Sequence, residues 1–195
     1  MTDWGQLYRD HVDAVAALAP TLTQDQLATR VPATPAWTVH EVVAHMAGCP
    51  VDFLTGRMDG AGSPDWTERQ VAERRARPVA ELLAEIRANE DAAVESVADN
   101  PRPPMVWDLV VHHADLHEAL GLDPMPEPLW KPVADALAGR APELAAAVPP
   151  YEFFRATFSR RSRGQMQAWG TGLSAEQLDE VCIFGPREDD QPVPA

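Results

Sequence analysis

Apolar positions recur at intervals of three and four along most of the chain, the period of helices that bury one face. Trp4, Leu7, His11, Ala14, Val15 and Leu18 form such a stripe, so a first helix is expected over 4–18, with Pro20 closing it. "TQDQL", 23–27, opens on Thr and carries Gln three residues later, a capping box that predicts a short further turn. "VPATPAW", 31–37, reads as an extended connector, because each residue before a proline is driven out of the α region. "TVHEVVAHMAG", 38–48, pairs Thr38 with Glu41 as a second capping box and presents Val39, Val42, Val43 and Met46 as its stripe. That helix is expected to continue toward Leu54 or Met58, with a kink or an early stop at Pro50.

"DGAGSPDW", 59–66, reads as loop, and a polar helix follows from about Trp66 to Arg77. Pro78 opens the next helix, with Val79, Leu82, Leu83, Ile86, Ala93 and Val97 facing inward. "DNPRPP" breaks it; the periodic stretch 105–120 ends at Gly121, a C-cap, and a fifth helix spans roughly 128–147. The tail changes character. "YEFFRATFS", 151–159, reads as a strand or an irregular apolar segment. "SRGQMQAW" and "SAEQLDEV" each begin with Ser and carry Gln three later, the capping pattern again. "GPREDDQPVPA", 185–195, is charged and proline-rich and is expected to drape over the surface or stay disordered. The pattern predicts a mainly all-α fold: a four-helix bundle over 1–148 and a small extension over 149–195, with room there for short strands.

Composition narrows the function classes. The 195 residues suffice for one core with a small appendage, and no run approaches the ~20 apolar residues of a membrane span. The N-terminus lacks a basic-then-apolar signal profile, so a soluble cytoplasmic protein is expected, without a membrane partner. A net charge of −14 argues against nucleic acid as a partner. The basic residues are almost all Arg, with Lys131 the single lysine, a sign of GC-rich coding rather than of chemistry. Cys49 and Cys182 lie far apart and outside any CxxC pair, so two inert buried thiols are expected. A reactive Cys49 is the alternative, since it closes the helix that carries His45.

The candidate chemistry lies in "DLVVHHADLHEAL", 108–120. At about 100° per residue, Asp108, His112 and Asp115 share a strip beside the apolar arc of Met105, Leu109, Leu116 and Leu120. His113 and His117 form another i, i+4 pair on the arc's other side. Either pair has the spacing to converge on one ion, and a third ligand must come from another helix. His45 is the best placed, at the edge of its own helix's stripe, whereas His40 reads as solvated and His11 as a core histidine with a hydrogen-bond partner, or else a pocket wall. Trp37, Trp107 and Trp169 read as core or pocket wall. A carboxylate with two imidazoles suits zinc, and also nickel, iron or manganese, and leaves a coordination position open.

"PATPAWTVHEVVAHMAG" followed by "WDLVVHHADLHEALGL" resembles the DinB-like metal-binding helical bundles, and more narrowly the actinobacterial mycothiol-dependent maleylpyruvate isomerase family. The resemblance covers about 5–122, and "RRSRGQMQAW" and "FGP" are similar to C-terminal parts of some short members. It implies His45 and His112 as metal ligands. The ligand four residues before His112 is Glu in the isomerase and usually His in other DinB-like proteins; here it is the shorter Asp108. Asp115 matches the acid expected to orient an imidazole or a nearby Arg. The resemblance further implies a divalent metal, typically zinc, that binds mycothiol and holds it as a thiolate. In the isomerase the thiolate adds to a conjugated cis alkene, allows rotation and leaves; in relatives a similar thiolate attacks a small electrophile. Arg155, Arg160, Arg161 and Arg163 stand together with no acid among them, either as solvated surface or, with Arg160 and Arg161 foremost, as a clamp for an anionic substrate. The expectation is a metal- and thiol-dependent isomerase or S-transferase, monomeric or a homodimer. Two alternatives are a metal-binding or interaction protein without turnover and a purely structural bundle.

Overall fold

A computed structural model describes residues 2–190 and 192. Its contacts divide the chain into two compact units, Met1–Asp123 and Pro124–Ala195. In the first unit, α1 spans Trp4–Leu18 and the side chain of Asp3 accepts the Gln6 N–H at its start. A 3-10 turn, Ala19–Thr21, contains Pro20, and the Thr23–Gln26 capping box opens α2, Gln24–Leu27. Next come β1 (Arg30–Val31), β2 (Thr34–Thr38), α3 (Val39–Thr55), α4 (Pro64–Ala72), α5 (Val79–Val97) and α6 (Pro104–Leu120).

The proline-rich connector is extended, as its prolines require, but it also folds back on itself. β1 pairs with β2 antiparallel, Arg30 opposite Thr38 and Val31 opposite Thr34. This hairpin leads straight into the capping box of α3, where Thr38 accepts the Glu41 N–H and Glu41 accepts the Thr38 N–H. The helix then runs through Pro50 to Thr55 and ends on Gly56, whose φ of 74° suits the left-handed cap. A proline inside a helix removes one backbone donor. Tertiary packing offsets that here, because every residue from 42 to 50 is buried. A helix buried all round needs neighbours on every side. α1 and α3 each pack against both α5 and α6, and α4 and β2 cover α3 further.

Two details fix α4 on α3. Asp52, 1% exposed, accepts from Arg69 Nη2 at 2.7 Å and Gln70 Nε2 at 2.6 Å. Gly48 leaves room for those side chains, since a Cβ there would lie 2.8 Å from Gln70 Cβ and 2.9 Å from Arg74 Nη1. α6 is likewise buried from 105 to 116, with only Asp108 partly exposed.

In the second unit, α7 spans Glu127–Leu137 and packs on α9, Pro150–Thr157, as does α8, Pro142–Ala147; α10, Arg163–Ala168, packs on α11, Ala175–Val181. The expected fifth helix is therefore broken by a 3-10 turn at Ala138–Arg140 and by Ala141 at φ −143°. It belongs with the second unit rather than with the bundle. The segment 151–159, expected as a strand or irregular, is mostly helix: Pro150 suits a first helical turn, and Phe153, Phe154, Ala156 and Thr157 are buried. Among the described residues this unit contains no strand, only an isolated bridge between Ser162 and Arg187. The Ser162 and Ser174 capping boxes form as expected. Of the 185–195 tail, residues 191 and 193–195 lie outside the described residues. Before them, Asp190 bonds Ser162 and Glu188 pairs with Arg163, so the tail is held against α10. No helix among the described residues is long and apolar enough to cross a membrane.

Thr38→Ala removes the side-chain cap of α3. It is expected to lower unfolding free energy by about 1 kcal/mol in urea titrations, with an unchanged m-value.

Candidate metal centre

α3 and α6 face one another in the bundle, and each offers polar groups at helical spacing on its buried surface. From α3, His45 is fully buried and its Nε2 lies 3.3 Å from Oδ1 and 3.2 Å from Oδ2 of Asp108 on α6. From α6, His112 Nε2 lies 3.6 Å from Asp108 Oδ1, and its Nδ1 lies 3.0 Å from Asp115 Oδ2. The two imidazoles stand with centroids 4.7 Å apart. Asp115 is fully buried and holds the far side of the His112 ring, leaving Nε2 to face Asp108. Trp37, delivered by β2, lies against both rings at 5.0 and 5.9 Å, and Trp66 of α4 approaches His45 edge-on.

A third donor from α3 joins them. Cys49, one turn beyond His45, is buried, and ligand atoms of His45, Cys49 and Asp108 lie within 4.8 Å of one another. No other set of three His, Cys, Asp or Glu side chains meets that condition among the described residues. Burial raises the Cys49 thiol far above its ordinary pKa, and the neighbouring Asp108 and Asp52 carboxylates add to this. Burial works against ionised Asp108 too, yet the His45 and His112 imidazoles and the Cys49 thiol hold its carboxyl well below the usual range. His112 is pushed down by burial, against the pull of Asp108 and Asp115.

Buried polar atoms near this cluster are left over, two of them with no ionisable partner either. His45 Nδ1 and the hydroxyl of Tyr8, on α1, make no hydrogen bond to any described residue. Tyr8 is raised by burial and by the charges of Cys49, Glu90 and Asp108. Tyr8 is not singled out by the sequence: its place four residues after Trp4, on the same helix face, marks it at most as core. Cys49, expected as an inert buried thiol or else as a reactive one closing the helix of His45, is not expected as a ligand from its sequence, although it stands at i, i+4 from His45 as His112 does from Asp108.

The donor set fits a divalent ion: two imidazole nitrogens, a carboxylate and a thiol, with no Lys or Arg paired to the carboxylate among the described residues. His113 and His117 stand elsewhere. His113 Nδ1 meets Nδ1 of the fully buried His11 at 2.9 Å, so His11 has the partner expected of a core histidine. His117 packs edge-on against His113 and its Nδ1 donates to the Asp123 carbonyl at 2.7 Å. His40, expected to be solvated, is half-buried, with Nε2 bonded to the Arg77 carbonyl at 2.9 Å. The arginine cluster belongs to the second unit and is largely committed there. Arg161 is 2% exposed and bidentate to Glu152 at 2.7 and 2.9 Å, Arg160 donates to the Phe158 carbonyl, and Arg163 pairs with Asp179. Arg155 is fully buried. The buried Arg161 and the half-buried Arg163 thus balance acids of the same unit, rather than standing with no acid at hand as the sequence run suggested. Trp107 is buried and Trp169 half-buried.

Residues 8–147 match the family model of the mycothiol maleylpyruvate isomerase N-terminal domain. No curated protein matches, and no solved structure does.

Burial and the neighbouring His11 and His117 push the His113 imidazole far below its ordinary value. The unfolded chain therefore takes up a proton near about pH 6.5 that the folded chain refuses until far lower pH. Stability from this site is complete above that value and is lost progressively as pH falls below it. Calorimetry of the metal-free protein between about pH 7 and pH 5 should show a falling Tm. His113→Asn should show a shallower slope, and an equal slope in both would contradict the assignment.

Proposed function

The chain belongs to the mycothiol maleylpyruvate isomerase N-terminal domain family, and on that premise we propose that His45, Asp108 and His112 hold a divalent ion, zinc foremost, for a thiol-dependent enzyme. The observation that carries this reading is the convergence of two imidazoles on one Asp108 carboxylate, His45 Nε2 at 3.2 Å from Oδ2 and His112 Nε2 at 3.6 Å from Oδ1. When bound, such an ion lowers the pKa of a thiol so that it is held as a thiolate at neutral pH. The thiol is of the mycothiol class, and the reaction is isomerisation of a small electrophilic alkene or transfer of the thiol to a small electrophile.

The chain's own residues do the positioning. Asp115 fixes the His112 ring and leaves its Nε2 lone pair toward the centre. Trp37 covers both imidazoles, and with the buried α3 and α6 it keeps water away from the ligand atoms. Tyr8 has a buried hydroxyl free to donate to an anion that enters beside Cys49 and Asp108. A second reading, a metal-binding protein without turnover, is favoured by Cys49, because a fourth protein donor that stays bound leaves no position for a substrate thiol.

Purified protein from metal-replete cells is expected to carry about one divalent ion per chain by elemental analysis. His45→Ala and His112→Ala should each abolish tight binding, while His117→Ala leaves it intact. Retention in the first two, or loss in the third, would reassign the ligands. Turnover of a cis-dienoic acid with mycothiol, absent in His112→Ala, separates the enzyme from the metal-binding protein.

A further inference from the structure

We propose that Cys49 is a fourth protein ligand of the centre, occupying the position that an external thiol must take. The inference rests on the reading of the centre as a divalent-cation site and adds to it how that site is regulated. Its basis is two matched pairs: His45 and Cys49 on α3, Asp108 and His112 on α6, each at i, i+4 and therefore on one helix face. Three of the four donors already have ligand atoms within 4.8 Å, and the fourth, His112 Nε2, lies 3.6 Å from Asp108. Around zinc, with bonds of about 2.0–2.3 Å, tetrahedral ligand atoms stand about 3.5 Å apart. Small side-chain movements would close the set.

The sulfur's surroundings support a ligand rather than a filler. An inert core cysteine packs among apolar groups. Cys49 instead has its sulfur within 4.8 Å of a carboxylate oxygen of Asp108 and an imidazole nitrogen of His45, and the hydroxyl of Tyr8 on α1 is buried without a hydrogen-bond partner among the described residues. On metal binding the thiol proton leaves to solvent, the sulfur coordinates as thiolate, and Asp108 turns from hydrogen-bond acceptor to ligand. Two imidazoles, a carboxylate and a thiolate make a closed four-coordinate set. An incoming thiol then reaches the ion only by displacing the Cys49 sulfur, which recovers a proton as the incoming thiol gives one up. The internal thiol thus sets a threshold concentration for the external one.

Cobalt(II) loading of the metal-free full chain tests this. Wild type is expected to show a near-ultraviolet thiolate-to-cobalt charge-transfer band with no thiol added. Cys49→Ser and Cys49→Ala should keep the visible cobalt bands of a bound ion and lose the charge-transfer band, binding cobalt at least about tenfold more weakly. Cys182→Ser, altering the other buried thiol, should behave as wild type. Titration with 2-mercaptoethanol should restore a charge-transfer band in Cys49→Ser at concentrations that leave the wild-type spectrum unchanged. Cobalt bound by wild type without the band overturns the role of Cys49 and leaves the metal centre standing. No cobalt bound by wild type overturns the metal centre itself.

Discussion

The carboxylate of Asp108 sits where two helices that are buried nearly all round press together, and a charge in that position must be answered by its neighbours. His45 answers from α3 and His112 from α6, each through Nε2. The rest of the first unit follows from keeping those three groups in register. Asp115 must be buried to hold the His112 ring; the hairpin must place Trp37 over both rings; the capping box at Thr38 must start α3 at the right residue. Gly48 and Asp52 then lock α4 against the outer side of the helix that carries His45. Removing either partner from such a cluster costs more than the contact it makes, because the remaining charge stays buried.

Much of this was legible in the sequence because it is local. Capping boxes act over three residues, helical stripes over two turns and proline restrictions over one peptide, so the bounds of α1, α3, α5 and α6 follow from the chain itself. What was not legible depends on contacts across the fold. The hairpin of β1 and β2 needs strand pairing, which an extended proline-rich stretch permits without requiring. α9 was misread because an aromatic-rich run resembles a strand until its burial pattern is known, and the 128–147 stripe ran through a break that only the turn at Ala138–Arg140 reveals. At the site, spacing brought out Asp108, His112 and Asp115, and the structure gathers them with His45. Arg161 looked available only because its acid, Glu152, lies outside the basic run that drew attention to it.

The shorter acid in the second motif has a physical account. Asp108 has one methylene fewer than a Glu would have, yet its oxygens approach both imidazoles. The Cys49 sulfur on the facing helix also lies within 4.8 Å of the Asp108 carboxylate. The short side chain is within reach of a donor one turn further along α3, since ligand atoms of His45, Cys49 and Asp108 fall within 4.8 Å of one another. Asp108 and Cys49 therefore form one arrangement across the seam between α3 and α6.

The separation of the donors along the chain carries a further consequence. His45 and Asp108 are 63 residues apart, with α4 and α5 between them. A contact of that range is costly to form in an open chain and comes after the helices themselves. The unfolded polypeptide holds only two weak, separate helical pairs and no common pocket. An ion joining them acts as a removable cross-link that closes this long loop, so its binding energy is also folding energy. The bundle would then record the supply of metal in its own rigidity: tight when loaded, loosened along the seam between α3 and α6 when stripped.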